Sequence, residues 1–216
     1  MSKSCYSDEV YKSIPSIIVN KVSCKCNNEE ETPSNCVCSP RELITNGSFE
    51  LPGIFTTFAN WGLNSNENMT VEQSVISYED AHSAEFRTTT DQPTEPPASS
   101  LLTQQVNVSG GCYLSLSFAE ALGRVYPGDS VYFSGRVYYL DSANNAIDLI
   151  KIQNLYTLEF VGGYYPFVYH QKSSEIPVPQ NVTVVNVEFF VRIEKTANTG
   201  NTAWRIDGVS LKEFCR

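Results

Sequence analysis

Val182-Thr-Val-Val-Asn-Val-Glu-Phe-Phe-Val-Arg-Ile193 alternates apolar and polar side chains, with Asn186, Glu188 and Arg192 recurring at even positions. Successive side chains of a strand point to opposite faces, so a period of two gives one face to a core and the other to water. The segment reads as a half-buried antiparallel strand. Outward from it, similar runs of Val, Ile, Tyr, Phe and Thr occupy Thr70–Tyr78, Leu101–Val108, Cys112–Phe118, Ser130–Leu140, Leu155–Val161 and Ala203–Leu211. Turn signals separate them at Asn46-Gly47, Gly110-Gly111, Pro127-Gly128, Gly162-Gly163 and Asn198–Asn201. Short strands at this spacing predict an all-β chain, a jelly-roll β-sandwich over residues 41–216. Only Tyr78–Phe86 and Phe118–Leu122 have helix-like composition.

The chain has 216 residues, enough for one domain of ordinary size plus an extension. Residues 1–40 have a different texture, polar and punctuated by Pro15, Pro33 and Pro40, and read as an extended Cys-rich N-terminal connector arm. Within it Ile14–Val22 suits a strand that adds to the open sheet edge of a neighbour. The Pro/Thr/Ser-rich stretch Thr88–Ser100 reads as a long surface loop. A net charge of −9 and the lack of any Lys/Arg run argue against nucleic acid as a partner. No stretch approaches the ~18 apolar residues of a membrane span, so no membrane is expected. The N-terminus lacks the charged-then-apolar pattern of an export signal, which predicts synthesis in the cytoplasm without a signal peptide. The Asn-x-Ser/Thr sequons at Asn46, Asn68, Asn107 and Asn181 carry little weight on that route.

Three motifs stand in order along residues 43–211. They are Ile44-Thr-Asn-Gly-Ser-Phe-Glu50 with Asn60-Trp61-Gly62, then Gln104-Gln-Val106 with Tyr113-Leu-Ser-Leu-Ser-Phe118, then Trp204-Arg-Ile-Asp-Gly-Val-Ser-Leu211. In this order they resemble the galactose-binding-like β-jelly-roll family that includes many carbohydrate-binding modules. The resemblance implies a fold more than an activity. It also implies that Glu50 and Asp207 sit at a structural calcium site, although Gly208 stands where the family ending has a second Asp. Calcium needs six or more oxygen ligands, and only these two are named by the motif. The plainer reading makes Phe49, Trp61, Trp204 and Leu211 core residues and has Asp207 accept from nearby backbone amides.

Catalytic motifs are missing. The chain has no Gly-x-Ser-x-Gly, P-loop or Gly-x-Gly-x-x-Gly, and His82 and His170 lie outside any metal-ligand spacing. No catalytic residue is read and an enzyme is not expected. Aromatic residues concentrate in Val161-Gly-Gly-Tyr-Tyr-Pro-Phe-Val-Tyr169, where two glycines and a proline surround four rings. Tyr164 and Tyr165 are the candidates for a carbohydrate platform there, since sugars stack on exposed rings. Rings at a protein interface would look the same.

Cysteine is the other informative residue: seven are present, at Cys5, Cys24, Cys26, Cys36, Cys38, Cys112 and Cys215. An antiparallel hairpin would set Cys26 opposite Cys36 and Cys24 opposite Cys38, with all four sulfurs on one face. A zinc site, an intrachain staple and crosslinks between subunits all fit this placement. The odd total and the location in an arm favour crosslinks, with Cys112 and Cys215 as partners for an incoming arm. Alternatively Cys112 and Cys215 pair with each other, leaving Cys5 free. Head-to-tail contacts of this kind do not close, so they yield filaments. The architecture is similar to jelly-roll subunits of bacterial endospore appendages, which polymerise through Cys-bearing N-terminal arms. The expected function is a self-assembling structural subunit of a disulfide-crosslinked extracellular fibre or spore-surface layer, with other copies of itself as partners. The alternative is a carbohydrate-binding module or lectin-like adhesin with glycan partners. No cofactor is expected beyond structural calcium.

Overall fold

A computed structural model describes residues 38–54, 56–157, 165–197 and 200–215. Eleven strands are present among them: β1 (Arg41–Glu42), β2 (Gly62–Ser65), β3 (Met69–Ser74), β4 (Ser83–Thr88), β5 (Ala98–Asn107), β6 (Tyr113–Arg124), β7 (Ser130–Leu140), β8 (Ala146–Thr157), β9 (Val168–Ser173), β10 (Val184–Glu194) and β11 (Ala203–Phe214). One sheet runs β3-β4-β11-β6-β9, with β1 added to β11; the other runs β2-β5-β10-β7-β8. All pairings are antiparallel. The two sheets pack face to face as an all-β jelly-roll sandwich.

The alternation that opened the sequence holds in β10. Val185, Val187, Phe189, Val191 and Ile193 are buried, and they meet Leu114, Leu116, Phe118, Trp204, Ile206 and Leu211 from the other sheet in one core. Phe133 stacks on Trp204 with ring centroids 5.4 Å apart, and Phe118 meets Phe189 edge-on at 5.0 Å. Such ring pairs combine large buried apolar area with a preferred geometry.

Both segments with helix-like composition are extended instead. Phe118–Leu122 lies inside β6, and Tyr78–Phe86 is a loop followed by β4. Helix propensity is outweighed because β6 hydrogen-bonds to β11 on one side and β9 on the other, while Phe118 and Leu122 fill the core.

The first and last motifs meet. The Gly47 carbonyl accepts from Val209 N at 3.0 Å, and a Cβ on Gly47 would lie 1.9 Å from the Val209 carbonyl oxygen, so only glycine fits. Asn46, at φ 56°, uses its side chain to bond Leu51 and Ala59 of the following loop, while its carbonyl accepts the Trp61 indole N–H at 3.0 Å. Phe49, Trp61, Trp204 and Leu211 are core, as expected.

Cys38 and Cys112 form a disulfide. Cys38 is therefore not bonded to Cys24, although the hairpin register itself lies outside the described residues, and a Cys112–Cys215 pair is excluded in this structure. The bond spans 74 residues of sequence, and closing a loop of that length stabilises the fold by about 4 kcal/mol on the chain-entropy account. Cys5, Cys24, Cys26 and Cys36 lie outside the described residues, as does the strand expected at Ile14–Val22.

Candidate functional site

The outer face of the five-stranded sheet gathers the residues best suited to hold a ligand. Its rows follow from the strand register. Ser99, Arg192, Tyr132 and Leu155 lie side by side across β5, β10, β7 and β8. The next row is Asn64, Leu101, Phe190, Ser134 and Gln153, and the next is Thr103, Glu188, Arg136 and Lys151. A fourth holds Gln105, Asn186, Tyr138 and Asp148. Strands lie about 4.8 Å apart, so aromatic and polar side chains interleave at close range.

Tyr132, Phe190 and Leu155 border a cavity of about 410 Å³, with Arg192 and Glu194 at its rim. The Tyr132 and Phe190 rings are half-buried, 6.2 Å apart and inclined at 58°. Leu155 is 58% exposed. The Tyr132 hydroxyl donates to Gln153 Oε1 at 3.4 Å, and Arg192 pairs with Glu194.

Beside the cavity, Arg136 donates from Nε to Glu188 at 2.6 Å and lies 4.3 Å over the Tyr138 ring. Its second anionic neighbour is Asp148, at 3.7 Å. The Glu188 hydrogen bond holds the Arg136 pKa above its ordinary value. Tyr138 is also pushed up, by burial first and then by the Glu188 charge, so its phenol stays protonated and donates to Glu188 at 3.3 Å. Arg136, Glu188, Tyr138 and Asp148 are thus tied to one another across the face.

The residues implied for calcium do different work. Glu50 Oε1 accepts from the backbone N–H groups of Ala81 and His82, at 2.9 and 2.6 Å, and Oε2 accepts from His82 Nδ1 at 2.8 Å. Asp207 accepts from the N–H groups of Tyr78, Glu79 and Gly208 at 2.7, 3.0 and 2.7 Å. Both carboxylates therefore pin the loop between β3 and β4. The plainer reading of Asp207 is the observed one. Among the described residues no cluster of three or more His, Cys, Asp or Glu could hold a metal ion, and the two carboxylates together accept five backbone amides and the His82 ring. Engaged in this way, Glu50 and Asp207 do not form the set of six or more oxygens that calcium takes.

Asp207 sits in a bulge between β11 and β6, and its burial pushes its pKa up to about 6. The folded pKa lies above the ordinary 3.8, so the native state binds more protons than the unfolded chain between about pH 4 and 6. The stability from this group is full below that window and is lost as pH rises through about 6. Glu50 runs the other way, because the His82 hydrogen bond lowers its pKa and its contribution is lost on acidification. Urea unfolding of wild type and Asp207→Asn at acid and neutral pH separates the two. The wild type should gain about 1–3 kcal/mol relative to the variant on going to acid pH. An unchanged difference would show that Asp207 does not titrate in this window.

Tyr165 is half-buried against the core, with its N–H bonded to the Leu122 carbonyl at 3.1 Å; Tyr164 lies outside the described residues. Among the described residues 165–169 the exposed ring is Tyr169, 51% exposed, which stacks on Tyr78 at 6.4 Å. Cys215 is a free, exposed thiol. Sequence reading missed Tyr132, Arg136, Tyr138, Gln153 and Phe190. For Tyr132, Arg136 and Tyr138 the signal lay in the even-numbered face of Ser130–Leu140, and for Phe190 in its being the one ring among the polar positions of β10; Gln153 stands in β8.

No protein-family model matches the sequence, and no curated protein matches it. Solved structures do share the fold. The enzymatically active domain of tailspike protein 4 from bacteriophage CBA120 is similar with a TM-score of 0.53 and 20% identity, over 80% of this chain and 21% of that one. The carbohydrate-binding module TmCBM61, solved in complex with β-1,4-galactotriose, is similar with a TM-score of 0.50 and 14% identity, over 79% of this chain and 97% of that one. The shared feature is the β-sandwich fold. The match spans about a fifth of the tailspike chain.

Proposed function

We propose that this protein is a non-catalytic glycan-binding module whose ligand lies on the outer face of the five-stranded sheet. The observation that carries this reading is the Tyr132–Phe190–Leu155 cavity, flanked by pre-bonded Arg136, Glu188, Tyr138 and Gln153. A pyranose has an apolar C–H face and a rim of hydroxyls. Half-buried rings meet the first, and fixed donors and acceptors meet the second. Acidic Glu188, Asp148 and Glu194 stand beside basic Arg136, Lys151 and Arg192, which suits a neutral glycan. The fold shared with a module solved on a galactose oligomer supports the same class.

The test is a broad glycan panel followed by calorimetry on any hit, with β-1,4-linked galacto-oligosaccharides included. The double variant Tyr132→Ala/Phe190→Ala should weaken binding at least about tenfold, since each lost ring contact is worth about 1 kcal/mol or more. Tyr165→Ala should leave affinity unchanged. Absence of binding across the panel, or binding indifferent to the double variant, would sink the reading.

A second reading, a disulfide-crosslinked subunit of an extracellular or spore-surface layer, is favoured by the exposed Cys215 thiol. It expects a ladder on non-reducing gels that collapses with reductant. A monomer under both conditions would remove it.

A further inference from the structure

Three cysteines converge at one end of the six-stranded sheet. Cys38 precedes β1, Cys112 precedes β6 and Cys215 follows β11. The last register pair of β11 and β6 is Phe214 with Tyr113. One residue further out, Cys215 follows Phe214 and Cys112 precedes Tyr113. Continued antiparallel pairing sets opposed Cα atoms about 4.5–5.5 Å apart, inside the range a disulfide bridges. Cys112 is nevertheless bonded to Cys38. The Cys215 thiol is free and exposed, and donates to the Cys38 carbonyl at 3.5 Å. A nucleophile, a disulfide and an alternative partner therefore stand together.

We propose that Cys38, Cys112 and Cys215 form an internal thiol–disulfide exchange site in which Cys112 is bonded to either of the other two. The Cys215 thiolate attacks the Cys112 sulfur. The Cys112–Cys215 bond forms as the Cys38–Cys112 bond breaks, and the electron pair leaves on the Cys38 sulfur. The proton lost by Cys215 is regained by Cys38. No oxidant or reductant is consumed, because one thiol and one disulfide are present before and after. Cys112 is the central sulfur because the β11–β6 register, continued by one residue, sets it opposite Cys215, and Cys38 is half-exposed, so its departing thiolate reaches water. The exchange unfastens residue 38 from the β5–β6 turn. The chain entering β1 is then held there by the two register pairs of β1 with β11, Arg41 with Glu213 and Glu42 with Lys212.

The test uses the full chain with Cys5, Cys24, Cys26 and Cys36 changed to Ser, so that three cysteines remain. The oxidised protein is held at mildly alkaline pH without oxidant, quenched with acid, alkylated, and mapped by mass spectrometry. At the start the label falls on Cys215. With time it should appear on Cys38, reaching within about tenfold of the Cys215 label, as expected for two disulfides of similar stability. The rate should not change on dilution. A second variant, Cys38→Ser, should oxidise to a Cys112–Cys215 bond. Label confined to Cys215, label appearing on Cys112, a rate that falls on dilution, or failure of Cys38→Ser to form that bond would each overturn the proposal.

Discussion

Asp129→Ala is expected to cost about 3–5 kcal/mol, a large share of the roughly 5–15 kcal/mol by which a native protein is typically stable. Asp129 lies just before β7 and clasps the ends of two other strands. Its Oδ2 accepts from Lys195 Nζ at 3.1 Å and from the Thr202 hydroxyl at 2.6 Å, and its Oδ1 accepts from Thr196 N at 3.1 Å. The Asp129 and Lys195 side chains are 0% and 1% exposed. Removing the carboxylate takes the Asp129 anion away from a buried ammonium that also meets Gly200 O at 2.5 Å and the Tyr126 ring at 5.4 Å. Removing one member of a buried pair is the expensive change; a buried pair replaced whole by apolar groups is often neutral. The double variant Asp129→Leu/Lys195→Met should therefore recover at least half of the loss in urea unfolding. A double variant as unstable as the single one would mean that the threonine contacts, and not the buried charge, dominate.

What the sequence disclosed divides along the same physical line. Strands with strict alternation were legible: Ser130–Leu140 is β7 to the residue, and Val182–Ile193 overlaps β10 from Val184. Strands whose stability comes from neighbours were not. Ser83-Ala-Glu-Phe-Arg-Thr88 has helix-forming residues at its centre, yet it is β4 because β3 and β11 pair with it on either side. Gly62–Ser65 is too short to show a period, and Val168–Ser173 sits at the end of a stretch read as an aromatic loop. The candidate binding face was half legible. Asn186, Glu188 and Arg192 were visible as the polar side of one strand. That Tyr132, Arg136 and Tyr138 stand beside them depends on β7 neighbouring β10 across a long connection, and no local pattern encodes that adjacency. The cysteines illustrate the opposite error. Cys112 was read as a partner for an arm cysteine of a neighbouring copy, whereas the fold bonds it to Cys38 of its own chain, 74 residues away.

Glu120→Leu is the second large loss expected, about 3 kcal/mol or more. Glu120 points into the core from β6, only 2% exposed. Its Oε2 accepts the Trp204 indole N–H, and its Oε1 accepts the Tyr156 hydroxyl and His170 Nε2, the last at 3.0 Å. Burial, and then the Glu120 contact, push the Tyr156 pKa well up, so the phenol remains a donor. The carboxylate thus joins β11, β8 and β9 at the place where the edge strands of the two sheets come together. Leucine fills much of the volume but accepts nothing. The Trp204 N–H, on a fully buried ring, then has no acceptor, and an unmade buried hydrogen bond costs more than a made one contributes. Glu120→Gln separates charge from connectivity. Its amide oxygen can keep the Trp204 bond, and its NH₂ can donate to the Tyr156 oxygen or to a neutral His170 nitrogen. It should lose less than half as much as Glu120→Leu by urea midpoint and should retain the near-ultraviolet signal of Trp204. Equal losses in the two variants would mean that the negative charge itself, and not the three-way bridge, holds this end of the sandwich together.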